Sequence, residues 1–205
     1  MKCSARRLRG SADMELKQAK FITSAATPSQ FLVPEKPMIA VCGKSNSGKS
    51  TLINLLAGQK RLAKTSSAPG RTRLVNYFDF GAFLLADLPG YGFAAVSREE
   101  KAKWAVTLDR FFEQKEHIKH VLLLCDIRRD PSADDDDMIR FLSYHIIPFS
   151  VVLTKSDKLS KMKGKEQRVR LANSLSLGKD DVIAVSGVSG EGKEELLKKI
   201  ERIIG

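Results

Sequence analysis

The chain has 205 residues, 42% hydrophobic and 29% charged, an ordinary globular balance with enough apolar material for one full-sized core, so neither disulfide nor metal staples are expected. Thirty-five Lys and Arg against 24 Asp and Glu give a formal charge of +11, which favours a polyanionic partner such as RNA, DNA or an acidic membrane surface. No apolar run approaches membrane-span length, and no hydrophobic stretch follows Arg6, Arg7 and Arg9, so a spanning helix and a secretory signal are both excluded at this level.

Residues 1–20 are polar, basic and weakly patterned, and read as a loose extension ahead of a single domain over 21–205. From Phe31 onward, strand-like and helix-like segments alternate. Residues 38–42 form a short apolar run ending at Gly43, and residues 50–56 read as a helix. Residues 74–80 and 82–88 flank Gly81 and predict a hairpin. Ser97-Arg98-Glu99-Glu100 matches a capping box, with Trp104, Leu108, Phe111 and Phe112 at helical spacing behind it. Residues 121–125 predict a buried strand. Pro131 and the acids at 134–137 suit a helix N-terminus. A strand at 149–153, a helix at 168–175 and a strand at 182–185 follow. Leu196, Leu197, Ile200, Ile203 and Ile204 line one face of a last helix. Such alternation implies a mostly parallel sheet covered on both faces, with ligands beyond the carboxyl ends of its strands. Cys42 and Cys125 fall inside buried-strand runs and read as reduced thiols, which favours a cytosolic, cytoplasmic setting.

Gly43-Lys44-Ser45-Asn46-Ser47-Gly48-Lys49-Ser50 matches the phosphate-loop pattern G-x-x-x-x-G-K-[ST]. It lies between an apolar strand and a helix, where successive backbone N–H groups and the positive helix end converge on a phosphate. Lys49 would neutralise the β- and γ-phosphates, and the Ser50 hydroxyl would ligate Mg²⁺. Asp87-Leu88-Pro89-Gly90 ends the second hairpin arm. Its carboxylate would hold Mg²⁺ through a water, and the Gly90 N–H would sense the γ-phosphate. Thr72, in Pro69-Gly70-Arg71-Thr72-Arg73, would complete the Mg²⁺ shell when a triphosphate is present, and Leu74 follows it. Release of both segments on loss of the γ-phosphate is an order–disorder switch. Thr154-Lys155-Ser156-Asp157 ends a buried strand and resembles the guanine-reading motif N-K-x-D. The Asp157 carboxylate would accept both donors of the guanine edge, with discrimination of up to ~10⁴-fold over bases lacking them. The Lys155 stem would pack along the base, and Ser186-Gly187-Val188, after the last strand, would offer a backbone N–H to the guanine O6.

Together these residues resemble a Ras-like P-loop G domain, and more narrowly the EngB-type family of ribosome-assembly GTP-binding proteins in the TrmE- and Era-related branch. The resemblance rests on the phosphate loop, on Ser66-Ser67-Ala68-Pro69-Gly70-Arg71-Thr72, on Asp87-Leu88-Pro89-Gly90-Tyr91-Gly92, on Lys103-Trp104, on Asp126-Ile127-Arg128 and on the Thr154–Asp157 stretch. It covers residues 20–205. It implies an α/β fold with a mostly parallel six-stranded sheet and helices on both faces. It also implies Mg²⁺-dependent, slow hydrolysis of GTP to GDP and a role in late assembly of the large ribosomal subunit, needed for normal cell division and septation; a monomer is the default oligomeric state. Carried over residue by residue, GTP would touch residues 43–50, 70–74, 87–90, 154–157 and 185–187, with Mg²⁺ on Ser50 and Thr72. Thr154 stands where Asn is usual, Gly187 where Ser or Ala is usual, and Arg129 where His is common.

Ras-type enzymes place a glutamine after the D-x-x-G glycine to orient the attacking water, and here that position is Tyr91, so intrinsic turnover is expected below ~10⁻² s⁻¹. Lys49, Thr72 and Asn46 are the candidate catalytic residues. Asn46 is either a K⁺ ligand beside the phosphates or a plain loop residue. Asp126 and Arg128 read as a structural ion pair, and Trp104 as a helix–sheet packing residue. Lys158, Lys161, Lys163, Lys165, Arg168 and Arg170, with Lys193, Lys198, Lys199 and Arg202, supply charge for salt-dependent contact with ribosomal RNA. The competing reading is a GTP-dependent protein-interaction module of cell division without direct ribosome binding.

Overall fold

The apolar runs build the sheet. They form β2 (Met38–Gly43), β5 (Ile118–Asp126), β6 (Phe149–Thr154) and β7 (Val182–Ala184) in a computed structural model that describes residues 19–64, 74–92 and 98–205. The hairpin about Gly81 is β3 (Val75–Asp79) and β4 (Leu84–Asp87), paired antiparallel with Asn76 opposite Asp87. Helices α1 (Lys49–Ala57), α2 (Arg98–Phe112), α3 (Ala133–Tyr144), α4 (Lys161–Ser174) and α5 (Lys193–Ile204) fill the intervals. Beyond the expected apolar run, β5 extends to Ile118 and Asp126.

The sheet has seven strands rather than the expected six. Its order is β1-β3-β4-β2-β5-β6-β7, and the added member is β1 (Lys20–Ala25), antiparallel to β3 at the edge. The first three residues of β1 are exposed, Phe21 and Ile22 among them, so no buried apolar alternation marks it in the sequence. Backbone pairing and an edge-to-face contact of Phe21 with Phe78 at 5.7 Å hold it. The extension expected over 1–20 therefore ends inside a strand, and residues 1–18 lie outside the described residues. Helix α4 also begins seven residues before the expected 168. Its first turns are basic and contain Gly164, which hides the helix from periodicity, but Ser160 Oγ accepts the Lys163 N–H as an N-cap.

Pairs β2–β4, β2–β5, β5–β6 and β6–β7 run parallel. One face of the sheet packs Leu108, Phe111 and Phe112 of α2, Met138 and Leu142 of α3, and Leu171 of α4. The other packs Leu52, Ile53 and Leu56 of α1 with Leu196 and Ile200 of α5. Burial of each such side chain stabilises the fold by about 1.5–3 kcal/mol. Helices thus cover both faces, and the strand ends at Gly43, Asp87, Asp126, Thr154 and Ala184 bring the motifs to one edge. Cys42 and Cys125 are buried free thiols, and burial raises both above the usual thiol range. Among the described residues no helix is long and apolar enough to cross a membrane.

Candidate functional site

The phosphate loop leaves β2 at Gly43 and enters α1 at Lys49 through Gly48, whose φ of 101° a side-chain-bearing residue rarely adopts. No described side chain caps α1, so its first N–H groups and positive end face outward from the strand end. The Lys49 ammonium lies 3.5 Å from the Gly43 carbonyl, folded back over the loop. Ser50 sits half-buried in the first turn beside it. The Lys44 ammonium donates to Ser132 Oγ at 3.0 Å and pairs with Asp134 at 3.2 Å, so its side chain serves α3 and leaves its backbone to the loop.

The guanine-motif segment is bound to that loop from across the chain. Thr154 Oγ1 donates to the Ser47 carbonyl at 2.6 Å. Threonine at this position therefore ties the end of β6 to the phosphate loop. Lys155, at φ 62°, donates to the Asn46 carbonyl at 2.8 Å and to Asp126 at 2.9 Å. Asn46 is itself left-handed (φ 63°), with its side chain exposed. Burial alone would raise the Asp126 carboxyl, but hydrogen bonds from Arg128 and Lys155 outweigh it and hold Asp126 well below the usual carboxylate range. The expected Asp126–Arg128 ion pair is present at 2.6 Å. Arg170, in turn, pairs with Asp130.

Asp157 follows in a short 3-10 turn, and the Ser186 hydroxyl donates to its Oδ1 at 2.7 Å. That hydrogen bond, assisted by Lys158 at 3.2 Å, lowers the Asp157 pKa and keeps it an anion. The same Ser186 oxygen accepts the Val188 and Ser189 N–H groups. Val185 accepts the Ser156 N–H at 3.1 Å, which fixes the loop after β7 against the motif. The sequence offered only a backbone role for Ser186; its side chain does the orienting. At Gly187 an added Cβ would run into Thr51 Cγ2, so the glycine found where Ser or Ala is usual accompanies the threonine of α1.

Asp87 is 5% exposed, one of its carboxylate oxygens lacks any hydrogen-bond partner, and burial pushes its pKa up to about 6 against the opposing Lys49 charge and an Asn76 hydrogen bond. Ser24 of β1 donates to Asn76 Oδ1 at 2.7 Å, which leaves the Asn76 amide nitrogen to face Asp87. An orphaned buried carboxylate oxygen near the Lys49 charge fits a small hard cation, which takes few protein ligands and completes its shell with phosphate and water. No cluster of three or more His, Cys, Asp or Glu exists among the described residues to form an all-protein metal cage. Leu88 is buried, with its N–H on the Val41 carbonyl at 2.9 Å. Pro89 accepts the Trp104 indole N–H at 3.1 Å. Trp104 thus holds the D-x-x-G segment, beyond the packing role expected of it. Leu74 is half-buried just before β3, whereas Gly70, Arg71, Thr72 and Arg73 lie outside the described residues, as does Ser97 of the capping box.

A phosphate loop, a buried acid at the end of the neighbouring strand and an oriented carboxylate in a T-K-x-D segment define a P-loop GTPase. The family model described as a 50S ribosome-binding GTPase matches residues 38–155. The chain is 45% identical over 192 residues to the probable GTP-binding protein EngB of Caldanaerobacter subterraneus subsp. tengcongensis, covering 93% of this chain and 99% of that one. It is 40% identical over 193 residues to the protein of the same description from Desulfosudis oleivorans, covering 94% and 98%. A crystal structure of a probable GTP-binding protein engB superposes with a TM-score of 0.68 at 25% identity over 82% of this chain and 98% of that one. Era bound to a GTP analogue and 16S ribosomal RNA fragment shares the fold at a TM-score of 0.66 and 22% identity, over 82% of this chain and 57% of that one. The chain belongs to the EngB family of GTP-binding proteins.

Proposed function

We propose that residues 21–205 act as one G domain that binds GTP with Mg²⁺, hydrolyses it slowly, and uses the nucleotide state to time a step in late assembly of the large ribosomal subunit in the cytoplasm. Residues 43–50 would wrap the phosphates, Asp157 and Lys155 would hold the guanine, and residues 70–74 and 87–90 would answer to the γ-phosphate. Ser50 and Thr72 would hold Mg²⁺ directly, and Asp87 through water. When bound, the cation supplies charge neutralisation at the β- and γ-phosphate oxygens. Lys49 adds a second positive charge there. Asn46, exposed at the rim of the loop, would take K⁺ as a further charge.

Slow turnover is supported by the residue after Gly90. A glutamine there would orient water; Tyr91 is 5% exposed and commits its hydroxyl to Asp135 at 2.7 Å, so it offers nothing to the attacking water. A group supplied by the ribosomal particle would complete catalysis.

The ribosomal reading is carried by the family description together with a cationic helix beside the base-reading motif. Lys158, Lys161, Lys163 and Lys165 are all exposed there, with Glu166 as the one acid among the described residues 158–170. These would meet phosphates in a salt-dependent way, and septation would depend on the protein through ribosome supply. Co-sedimentation of the monomeric protein with ribosomal subunits, loaded with GDP or a non-hydrolysable GTP analogue over a salt series, tests this. Analogue-dependent, salt-sensitive binding to the large subunit is expected. Absence of binding in both nucleotide states would move the function to a protein partner in cell division.

A further inference from the structure

Tyr91 occupies the position at which a water-orienting side chain is expected, yet it is built into the fold. Its hydroxyl donates to Asp135 Oδ1 at 2.7 Å, both residues being 5% exposed. The other oxygen of Asp135 accepts the Ser132 N–H at 2.9 Å and the Ser132 hydroxyl at 2.7 Å, forming the capping box of α3. Ser132 in turn accepts the Lys44 ammonium of the phosphate loop. The Tyr91 carbonyl takes the Ser45 N–H at 3.0 Å, and its ring meets Trp104 of α2 edge-on at 5.7 Å. One residue thus joins the phosphate loop, α2 and the N-terminus of α3.

The neighbour of Tyr91 gives this arrangement its consequence. A methyl added at Gly90 would lie 2.8 Å from Ser45 Oγ and 3.0 Å from the Lys49 ammonium, so Gly90 is seated at the phosphate end of the loop. We infer that Tyr91 is a positioning residue: its bond to Asp135 sets Gly90 at the place where a γ-phosphate is sensed, and transmits that contact to α2 through Trp104 and to α3 through Asp135. Tyr91 touches no nucleotide in this scheme. A phenol committed to a buried carboxylate acts through geometry, as burial raises the Tyr91 hydroxyl far above any working pH.

This role for Tyr91 rests on the nucleotide site but not on the ribosomal partner, and GDP binding by the wild-type protein tests that site separately. Trp104 is the sole tryptophan, so its emission reports the junction directly. In the wild-type protein, exchanging GDP for a non-hydrolysable GTP analogue with Mg²⁺ should change that emission. Tyr91→Phe keeps the ring and removes the bond to Asp135. It should hold the GDP Kd within about twofold while lowering both kcat and the preference for the analogue about tenfold, the weight of a hydrogen bond to a charged group. The nucleotide-dependent change in emission should shrink with them. Asp135→Asn keeps an acceptor that the tyrosine and the helix cap must share, and should move the same readouts in the same direction by less. The positioning role is overturned if Trp104 emission in the wild-type protein is indifferent to the nucleotide. It is equally overturned if folded Tyr91→Phe retains the wild-type emission change and analogue preference, or if GDP affinity falls in step with kcat, as loss of packing alone would produce.

Discussion

The base-reading end and the phosphate-sensing end of the site are held in different ways. At the base end, side chains bridge elements far apart in the chain: Thr154 to Ser47, Lys155 to Asn46 and Asp126, Ser186 to Asp157. Asp157 and Lys155, the side chains that would meet guanine, already have partners fixing their direction. At the phosphate end, Asp87 keeps one carboxylate oxygen unpaired at a pKa raised to about 6, and the D-x-x-G segment hangs on Trp104, Tyr91 and the Val41 carbonyl. A prebuilt base pocket costs little reorganisation on binding and gives specificity, whereas an end with an uncompensated charge is completed only by cation and phosphate. Under the function proposed above, the base end would be read alike in both nucleotide states and the state would be sensed at the phosphate end.

The largest effect should come from breaking the base end. Asp157→Ala leaves the Ser186 hydroxyl without its acceptor and the guanine N1–H and amine without theirs. GDP affinity should fall roughly 10²- to 10³-fold by calorimetry, with the fold intact by circular dichroism. An effect below about tenfold would mean that the base end is not the source of specificity.

A smaller effect sharpens the comparison by acting on neither end. His120 lies near the opposite end of β5, buried beside Ser150 of β6, with the Lys199 ammonium and the Asp181 carboxylate near it. Burial, reinforced by Lys199 and opposed by Asp181, lowers its pKa from 6.5 to about 4, so the folded state holds it neutral. Between those values the unfolded chain binds the extra proton, and stability must fall as the pH drops from 6.5 towards 4, by up to about 3 kcal/mol. Urea midpoints should show that slope, and His120→Gln should flatten it. Because the loss concerns the whole sheet, guanine specificity should persist over the range in which the protein stays folded.

The division between the two ends also marks what was legible in the sequence. The phosphate loop, the D-x-x-G segment, the T-K-x-D segment and the strand–helix alternation are local patterns, and each sits at a strand end as its spacing implies. The edge strand β1 was not legible because its exposed residues carry no periodicity; it is recruited by backbone pairing with β3. The partners that give the motifs their direction were not legible either. Ser186 lies 29 residues from Asp157, and Asp135 lies 44 from Tyr91, and no local pattern records such pairings. Ser24 reaches Asn76, and through it Asp87, only because β1 is in the sheet.

The most direct test of a prebuilt guanine site is a calorimetric titration of the wild-type protein with GDP, inosine diphosphate and ADP under one set of conditions with Mg²⁺. Inosine lacks the exocyclic amine and adenine lacks both donors that Asp157 is placed to accept. GDP should bind tightest, inosine diphosphate about tenfold or more weaker, and ADP at least ~10³-fold weaker. ADP binding within about tenfold of GDP would contradict the assignment of Asp157 and, with it, a base end built in advance for guanine.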